Sequence, residues 1–379
     1  VSKLIFFKMN IISMLFFLTT FVVVLLGSHF FAYFSLVRFL NITQASMKLW
    51  LGGIFFLLAI SFVVANILSH YVENIGTRIF SFSSGVWLGL GVNLILAFAV
   101  SWLVIGVAKL SGFQVDPRYL AVVSIIFAVI FSGWGVWNAY HPRIKNITVK
   151  IENLPENWKG KTAVQISDIH LGSVLKRGFM AGIVEKINAQ NPEIVFITGD
   201  LFDGMDGILG DLVSPVKDIK APQGTFFITG NHETYLGVSG VMQALKKTPV
   251  KVLDDEMVDA NGLQIVGVSY PQRGDKKNIE ETIKNIEGFD PKKASILLYH
   301  NPAGVFEAKA SGVSLQLAGH THTGQLFPFN FITQMIYGKY HKGLHSEDGF
   351  SIYTSVGTGT WGPTMRTNNI PEITVIRFE

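Results

Sequence analysis

The second half of the chain carries five short polar clusters, each following an apolar run. They are Asp168-Ile169-His170, Gly199-Asp200-Leu201-Phe202-Asp203, Gly230-Asn231-His232-Glu233, Tyr299-His300-Asn301 and Gly319-His320-Thr321-His322. Asp, Asn and His offer the oxygen and nitrogen donors that suit a pair of borderline divalent cations. Asp168 and His170 are two positions apart, as are His320 and His322, so on an extended backbone each pair faces one way. A carboxylate can bridge two cations, and Asp200 is the natural bridge. The amide oxygen of Asn231 completes a mixed oxygen and imidazole shell. Such a shell suits two Mn, Fe or Zn ions better than Ca, which prefers all-oxygen sites. Two metals about 3.5–4 Å apart clamp an in-line displacement at phosphorus and acidify a shared water. No covalent nucleophile is then required. His232, beside Asn231, is the candidate to protonate the leaving oxygen, and Asp203 the candidate to orient His232. Glu233 reads as structural. Gly199, Gly230 and Gly319 each precede a candidate ligand, where close backbone approach to a metal favours glycine.

These clusters need elements that bring them together. Residues 162–167, 193–198, 225–229, 295–299 and 314–318 read as short buried strands, and each stops at one of the clusters. Further strands are expected over 147–151, 264–268, 350–355 and 373–378, the first on a basic link over 143–150. Phe179, Ile183 and Ile187 recur at helical spacing; helices are also expected over 209–219 and from Pro302 to Lys309. Alternating strands and helices predict α/β layers. Ligands in such sheets gather beyond the carboxyl ends of strands, so one pocket is the economical reading of all five clusters.

The first half is different in kind. Of 379 residues 49% are hydrophobic, yet most of the charge follows Arg143. Four stretches, about 9–37, 49–69, 85–110 and 119–140, reach the roughly 20 apolar residues a spanning helix needs. The first is too long for a signal peptide and is followed by three more. Trp50, Trp87, Trp134, Trp137 and Tyr140 are expected at span ends, as an aromatic belt. An even number of spans puts both termini on one side, with Lys3, Lys8, Arg78, Arg143, Lys145 and Lys150; Arg38, Lys48, Lys109 and Arg118 lie on the other. That bias predicts a cytoplasmic catalytic domain on a bacterial cell membrane. The spans contain no Asp or Glu, which argues for an anchor over a transport pathway. Asn66 and Asn93 are expected to make helix–helix hydrogen bonds. The domains are thus 1–142, a transmembrane region of four helices, and 143–379, a catalytic domain.

A net charge of +4 without a Lys/Arg run gives no nucleic-acid-binding signal. The absence of cysteine excludes disulfides and zinc–thiolate sites. Val1 in place of Met fits an alternative start codon or a trimmed terminus.

The five clusters, in order, resemble the pattern of the calcineurin-like metallophosphoesterase superfamily: Asp-x-His, Gly-Asp-x-x-Asp, Gly-Asn-His-Glu/Asp, a lone His, and Gly-His-x-His. The resemblance covers about 160–360, and within the superfamily the chain looks most like the membrane-associated bacterial YkuE-like and YaeI-like branch. It implies an α/β fold of layered β-sheets flanked by helices. It also implies that Asp168, His170, Asp200 and His322 hold one metal, and Asp200, Asn231, His300 and His320 the other. Protein phosphatases of the superfamily carry Arg where Gly204 stands here, which argues against a phosphoprotein substrate. Arg177, Arg273 and Arg366 are candidate phosphate contacts.

The expected activity is hydrolysis of a phosphoester or pyrophosphate bond, with a lipid-linked substrate suggested by the spans and by Phe327, Phe329, Phe331, Tyr337 and Tyr340. Those aromatics are either core or an apolar lip beside the site. A UDP-2,3-diacylglucosamine pyrophosphatase is one form of this reading; a phospholipid or soluble phosphodiester substrate is another. The rival class is a membrane scaffold or transporter whose metal domain only binds or regulates. A missing ligand would mark that class, and none is missing. His29, His70, His141, His341 and His345 read as structural.

Overall fold

A computed structural model describes residues 11–203, 209–272, 275 and 277–379. Gly204 and Arg273 fall outside the described residues. The chain divides into two compact units, one of residues up to Trp137 with Gly362–Met365, the other of Asn138–Trp361 with Arg366–Glu379.

The first unit contains α1 (Ile11–Phe39), α2 (Ala45–Tyr71), α3 (Ile75–Leu110) and α4 (Pro117–Tyr140). Each is long and apolar enough to cross a membrane. Local signals set their ends. The Asn74 side chain accepts the Thr77 N–H at 3.0 Å, while the Thr77 hydroxyl oxygen takes the Asn74 N–H, capping α3 at both donors. Pro117 opens α4, where its missing N–H costs nothing. Because α3 starts at Ile75 and not at Gly85, Trp87 lies inside the helix rather than in an interfacial belt. Its indole N–H instead donates to His29 Nε2 at 3.1 Å. Asn93 donates to Ser132 Oγ at 2.9 Å, joining α3 to α4. Asn66, by contrast, bonds Phe62 O within its own helix.

The second unit is built on two six-stranded sheets. The strands β1 (Arg143–Val149), β2 (Thr162–Ile166), β3 (Ile194–Thr198), β4 (Thr225–Ile228) and β5 (Val250–Val252) belong to one. The other holds β6 (Glu256–Ala260), β7 (Leu263–Gly267), β8 (Ser295–Leu298), β9 (Leu315–Ala318), β10 (Gly343–Glu347) and β11 (Phe350–Thr354). The last strand, β12 (Glu372–Phe378), returns to the first sheet, giving the orders β1-β12-β2-β3-β4-β5 and β10-β11-β9-β8-β7-β6. The basic link over 143–150 is therefore itself strand β1, parallel to β12. Runs β2-β3-β4 and β7-β8-β9 are parallel.

Strand periodicity explains the layering. Ile194 and Phe196 of β3 face a core shared with Ile265, Ile296, Leu298 and Leu317, residues of the second sheet. Val195 and Ile197 face the other way, against Met180, Ile183, Val184 and Ile187. Those four lie on α5 (Arg177–Asn188). The outer layer of the first sheet also includes α6 (Leu209–Val213), α7 (Asn231–Leu236) and α8 (Val238–Leu245). Over the second sheet lie α9 (Ile279–Lys284) and α10 (Val305–Ala310), and then comes α11 (Asn330–Tyr337). The helix expected over 209–219 stops at Val213 and tightens into a 3-10 turn over Ser214–Asp218, because Pro215 cannot donate to an α-helical ladder. Likewise α10 opens at Val305, after Gly304 turns left-handed at φ 70°.

Candidate metal centre

Asp168, Asp200, Asn231, His300 and His320 each lie within three residues of the carboxyl end of β2, β3, β4, β8 or β9. Parallel pairing within each sheet brings those ends to one edge. The turns that carry the donors are unusual. Asp168, His170, Asp200, His320 and His322 all have left-handed backbone, with φ of 53°, 54°, 50°, 71° and 46°. Each such residue costs about 1 kcal/mol or more, and survives only where its surroundings over-determine it. Gly319 shows that crowding: a Cβ there would stand 2.0 Å from Ser167 Oγ and 2.2 Å from Asp168 Oδ2.

Among the described residues, three sets of side chains have ligand atoms within 4.8 Å of one another: Asp168, His170 and His322; His170, Asp200 and His232; Asp200, His300 and His320. Asp200 is common to the last two. In the first set His170 Nε2 faces His322 Nε2 at 3.0 Å, and His322 Nε2 is 3.3 Å from Asp168 Oδ1. In the third, His300 Nε2 is 3.1 Å from Asp200 Oδ2. His320 Nδ1 is 2.8 Å from Asn231 Oδ1, so Asn231 adjoins that set.

The donor chemistry fits a cation. His300 Nδ1 hydrogen-bonds Thr198 O at 2.7 Å, as N–H to carbonyl, which leaves the lone pair on Nε2. That buried nitrogen has no hydrogen-bond partner, yet it points at a carboxylate. Two lone pairs facing each other need a positive charge between them, either a proton or a metal ion. A proton could serve there: burial opposes it, but the Asp200 carboxylate pushes His300 up to about 10.

Residues 161–324 match the model of the calcineurin-like phosphoesterase family. Over 274 residues the chain is 32% identical to an uncharacterised metallophosphoesterase of Campylobacter jejuni, an alignment covering 70% of this chain and 72% of that one. The chain belongs to the calcineurin-like metallophosphoesterases. It is also 31% identical over 275 residues to a Danio rerio transmembrane protein with a metallophosphoesterase domain, covering 67% of this chain and 62% of that protein. Similarity to YkuE, an uncharacterised metallophosphoesterase of Bacillus subtilis, is 28% over 244 residues, or 61% and 84% of the two chains. The family is dimetal-dependent, and this metallophosphoesterase is a metal-dependent enzyme with four membrane-spanning candidates.

Within the metallophosphoesterase site, buried carboxylates and imidazoles shift one another strongly. Burial raises Asp168. Asp200 is equally buried, but His300 and His170 overcome that cost and hold it well below the carboxylate range. Burial, and then the charge of His300, lowers His320 to about 3. Burial and the neighbouring Arg366 hold His322 well below the usual value. His232 is lowered by burial and then by His170.

Several residues stand where the sequence reading did not put them. The Asp203 carboxylate lies 3.3 Å from His170 Nδ1 and 3.9 Å from His232 Nδ1, so its nearer partner is His170. His232 Nδ1 meets the Asp203 backbone carbonyl instead, at 3.2 Å. Glu233 is indeed structural: fully buried, it accepts the N–H groups of Asp200 at 2.9 Å, Gly230 at 2.7 Å and Phe202 at 3.1 Å. Arg366 is not a phosphate contact. It is fully buried and donates to Val356 O, Gly359 O and Asn369 Oδ1, with Nη2 2.9 Å from His322 Nδ1. Arg177 pairs with Asp211 at 3.3 Å on the start of α5. His341 gives its carbonyl to Thr321 Oγ1, and His345 Nε2 meets Lys342 O.

Aromatic rings that the sequence reading left unassigned line the cluster. The Tyr270 ring meets that of His300 edge-on at 5.9 Å and that of His320 tilted at 6.1 Å, and the Trp361 ring is 5.9 Å from that of His232. Tyr337, named above among the aromatics, lies 6.1 Å from His320. Tyr270 follows the carboxyl end of parallel strand β7, the same signal that marked the other clusters. Trp361 lies in a loop and offered no comparable signal.

Proposed function

We propose that this metallophosphoesterase is a membrane-anchored dinuclear phosphohydrolase that cleaves a phosphoester or pyrophosphate bond of a lipid-linked substrate. The observation that carries the reading is Asp200, a carboxylate within reach of donor groups supplied by both sheets. Asp168, His170, Asp200 and His322 would hold one cation, and Asp200, Asn231, His300 and His320 the other. Bound there, Mn, Fe or Zn ions supply charge for the phosphoryl oxygens and an acidified water.

The chain's own residues do the rest. Two backbone donors, His320 N–H at 2.9 Å to Asp168 and His232 N–H at 2.9 Å to Asp200, fix the carboxylates. The Thr198 carbonyl aims His300, and Arg366 aims His322. His232 is placed to pass a proton to the leaving oxygen. Alone it is a weak base, because burial and His170 lower it; a phosphate anion beside it would raise its proton affinity. The charge bias of the loops supports a cytoplasmic catalytic domain on a bacterial cell membrane. The four spans support a substrate drawn from the bilayer.

The test is to purify the full chain in detergent and assay it with Mn²⁺ against bis-p-nitrophenyl phosphate, p-nitrophenyl phosphate and UDP-2,3-diacylglucosamine. Cleavage that disappears in Asp200→Ala supports a phosphohydrolase, and the preferred substrate selects diesterase, monoesterase or lipid pyrophosphatase. Unchanged activity in Asp200→Ala, or no bound metal in the wild type, overturns the dinuclear reading. His232→Asn should keep its metal and lose about 10²–10⁴ in turnover, least with good leaving groups. Metal lost in proportion would make His232 a ligand, as the second donor set allows.

A further inference from the structure

The segment that follows the His322 turn is apolar and uncovered. Phe327, Phe329, Phe331, Ile332, Met335 and Ile336 are all exposed, and Met335 and Ile336 reach 79% and 65%. Among the described residues of the catalytic unit, nine large hydrophobics are exposed, and these six fall within ten positions. Single exposed hydrophobics are ordinary, whereas a contiguous patch marks a binding surface. Helix α11 itself reads NFITQMIY, with no charged residue and no buried one. A two-turn helix that buries nothing is not stabilised by the core beneath it.

The patch is fixed beside the metal donors. Gly324, at φ 73°, would place a Cβ only 2.3 Å from the Phe329 carbonyl carbon, so the start of the patch is pressed onto the turn that carries His322. At the far end of α11 the Tyr337 ring lies 6.1 Å from that of His320. The segment just beyond carries Lys339 and the exposed Lys342.

The geometry points to an interfacial seat: the Phe327–Ile336 segment lies in the headgroup–acyl boundary of the bilayer and presents the metal centre to the phosphate of a membrane amphiphile. This rests on the phosphohydrolase reading for its last step only. A bilayer is the favoured occupant because the same chain carries four spans, and two residues, His141 and Pro142, separate α4 from β1. An uncharged apolar segment followed by the exposed Lys342, with Lys339 paired to Glu347 at 3.0 Å, has the composition that seats at a lipid surface. The rings of Tyr337 and Trp361 are of the type that collects at the same depth.

The absence of cysteine makes the test clean. Met335→Cys and Ile336→Cys, with Phe306→Cys as an exposed control on α10 outside the Phe327–Ile336 segment, are each labelled with a nitrobenzoxadiazole fluorophore. The full-length protein goes into nanodiscs of phosphatidylcholine and phosphatidylglycerol containing doxyl-labelled lipid. The expected result is about twofold or greater quenching at Met335 and Ile336, and none at Phe306. Quenching no greater than at Phe306 overturns the proposal; so does a label that is shielded but unquenched, which would mean a protein or a second copy covers the patch. In the second arm, Phe331→Gln/Met335→Gln/Ile336→Gln should lose about tenfold in turnover of bilayer-held hexadecyl p-nitrophenyl phosphate while bis-p-nitrophenyl phosphate is cleaved as before. Equal loss on both diesters, or no loss on either, overturns presentation to the bilayer. Failure of the phosphohydrolase reading would show separately, as no cleavage of the soluble diester by the wild type, and leaves the quenching result standing.

Discussion

Glu233 offers the sharpest measurement of what holds the metal turns in place. Its Oε2 accepts the N–H groups of Asp200 and Gly230, and its Oε1 accepts that of Phe202. Glu233→Gln keeps the shape but turns one oxygen into a donor. With the amide oxygen at the Oε2 position two bonds persist, and the new NH₂ group confronts the Phe202 N–H. Two buried donors, the Phe202 N–H and the amide NH₂, are then unsatisfied, at about 1–3 kcal/mol each. For a unit of this size that lowers the unfolding midpoint by about 4–24 °C. Glu233→Ala strands all three donors, about 3–9 kcal/mol, a range that overlaps the whole stability of a typical domain. Burial and then the nearby Asp200 raise Glu233 to about 7, so the measurement belongs at pH 8 or above, where the carboxylate accepts all three bonds. The assay is thermal unfolding of the detergent-solubilised protein with saturating Mn²⁺, alongside turnover of bis-p-nitrophenyl phosphate. The expected order is wild type, then Gln, then Ala, with turnover falling at least as steeply as stability. A Gln variant within about 0.5 kcal/mol of wild type, the range of a surface substitution, would refute the argument that this carboxylate organises the turns.

Three other perturbations follow from the same geometry. Arg366→Lys replaces a fork that engages Val356 O, Gly359 O, Asn369 Oδ1 and the His322 ring with one ammonium, and should weaken metal binding by about 10–100-fold, read by titration with Mn²⁺. Gly319→Ala puts a methyl group 2.2 Å from Asp168 Oδ2; it should displace that carboxylate and reduce bound metal more than it reduces helix content. Stripping metal with a chelator leaves Asp168 and Asp200 buried together, and adding Mn²⁺ should then raise the unfolding free energy by about 2.7 kcal/mol at a hundredfold excess over Kd, and the midpoint with it. A midpoint independent of Mn²⁺ would argue against a site that is filled in the folded protein.

Much of this was legible in the sequence for a simple reason. Strands such as β3 and β8 are buried on both faces, so they appear as uninterrupted apolar runs, and the first polar residue after each marks where the strand ends. The ligand clusters are those first polar residues. Elements at the edges were harder. β5, β6 and β10 are short or half-exposed, with mixed patterns that periodicity does not separate from loop. The pairing of Asp203 with His170 depends on a turn that no spacing rule describes. Arg366 looked like a phosphate contact because a cation near a phosphate site is usually one. Only the fold shows that it is enclosed by carbonyls. Of the aromatics that read as core or lip, Phe327, Phe329 and Phe331 are exposed and so not core, whereas Tyr340 packs against the core of the second sheet.

The return of β12 to the first sheet has a consequence for biosynthesis. That strand pairs with both β1 and β2, so the sheet that carries Asp168 and Asp200 lacks an interior member until β12 is made. The donors His300, His320 and His322 also come late, from the second sheet. A nascent chain emerging beside its inserted spans therefore has acidic residues but no finished cage. A product that stops short of β12 carries its donor turns on an incomplete first sheet, and the frame around Asp168 and Asp200 closes only once that strand is made.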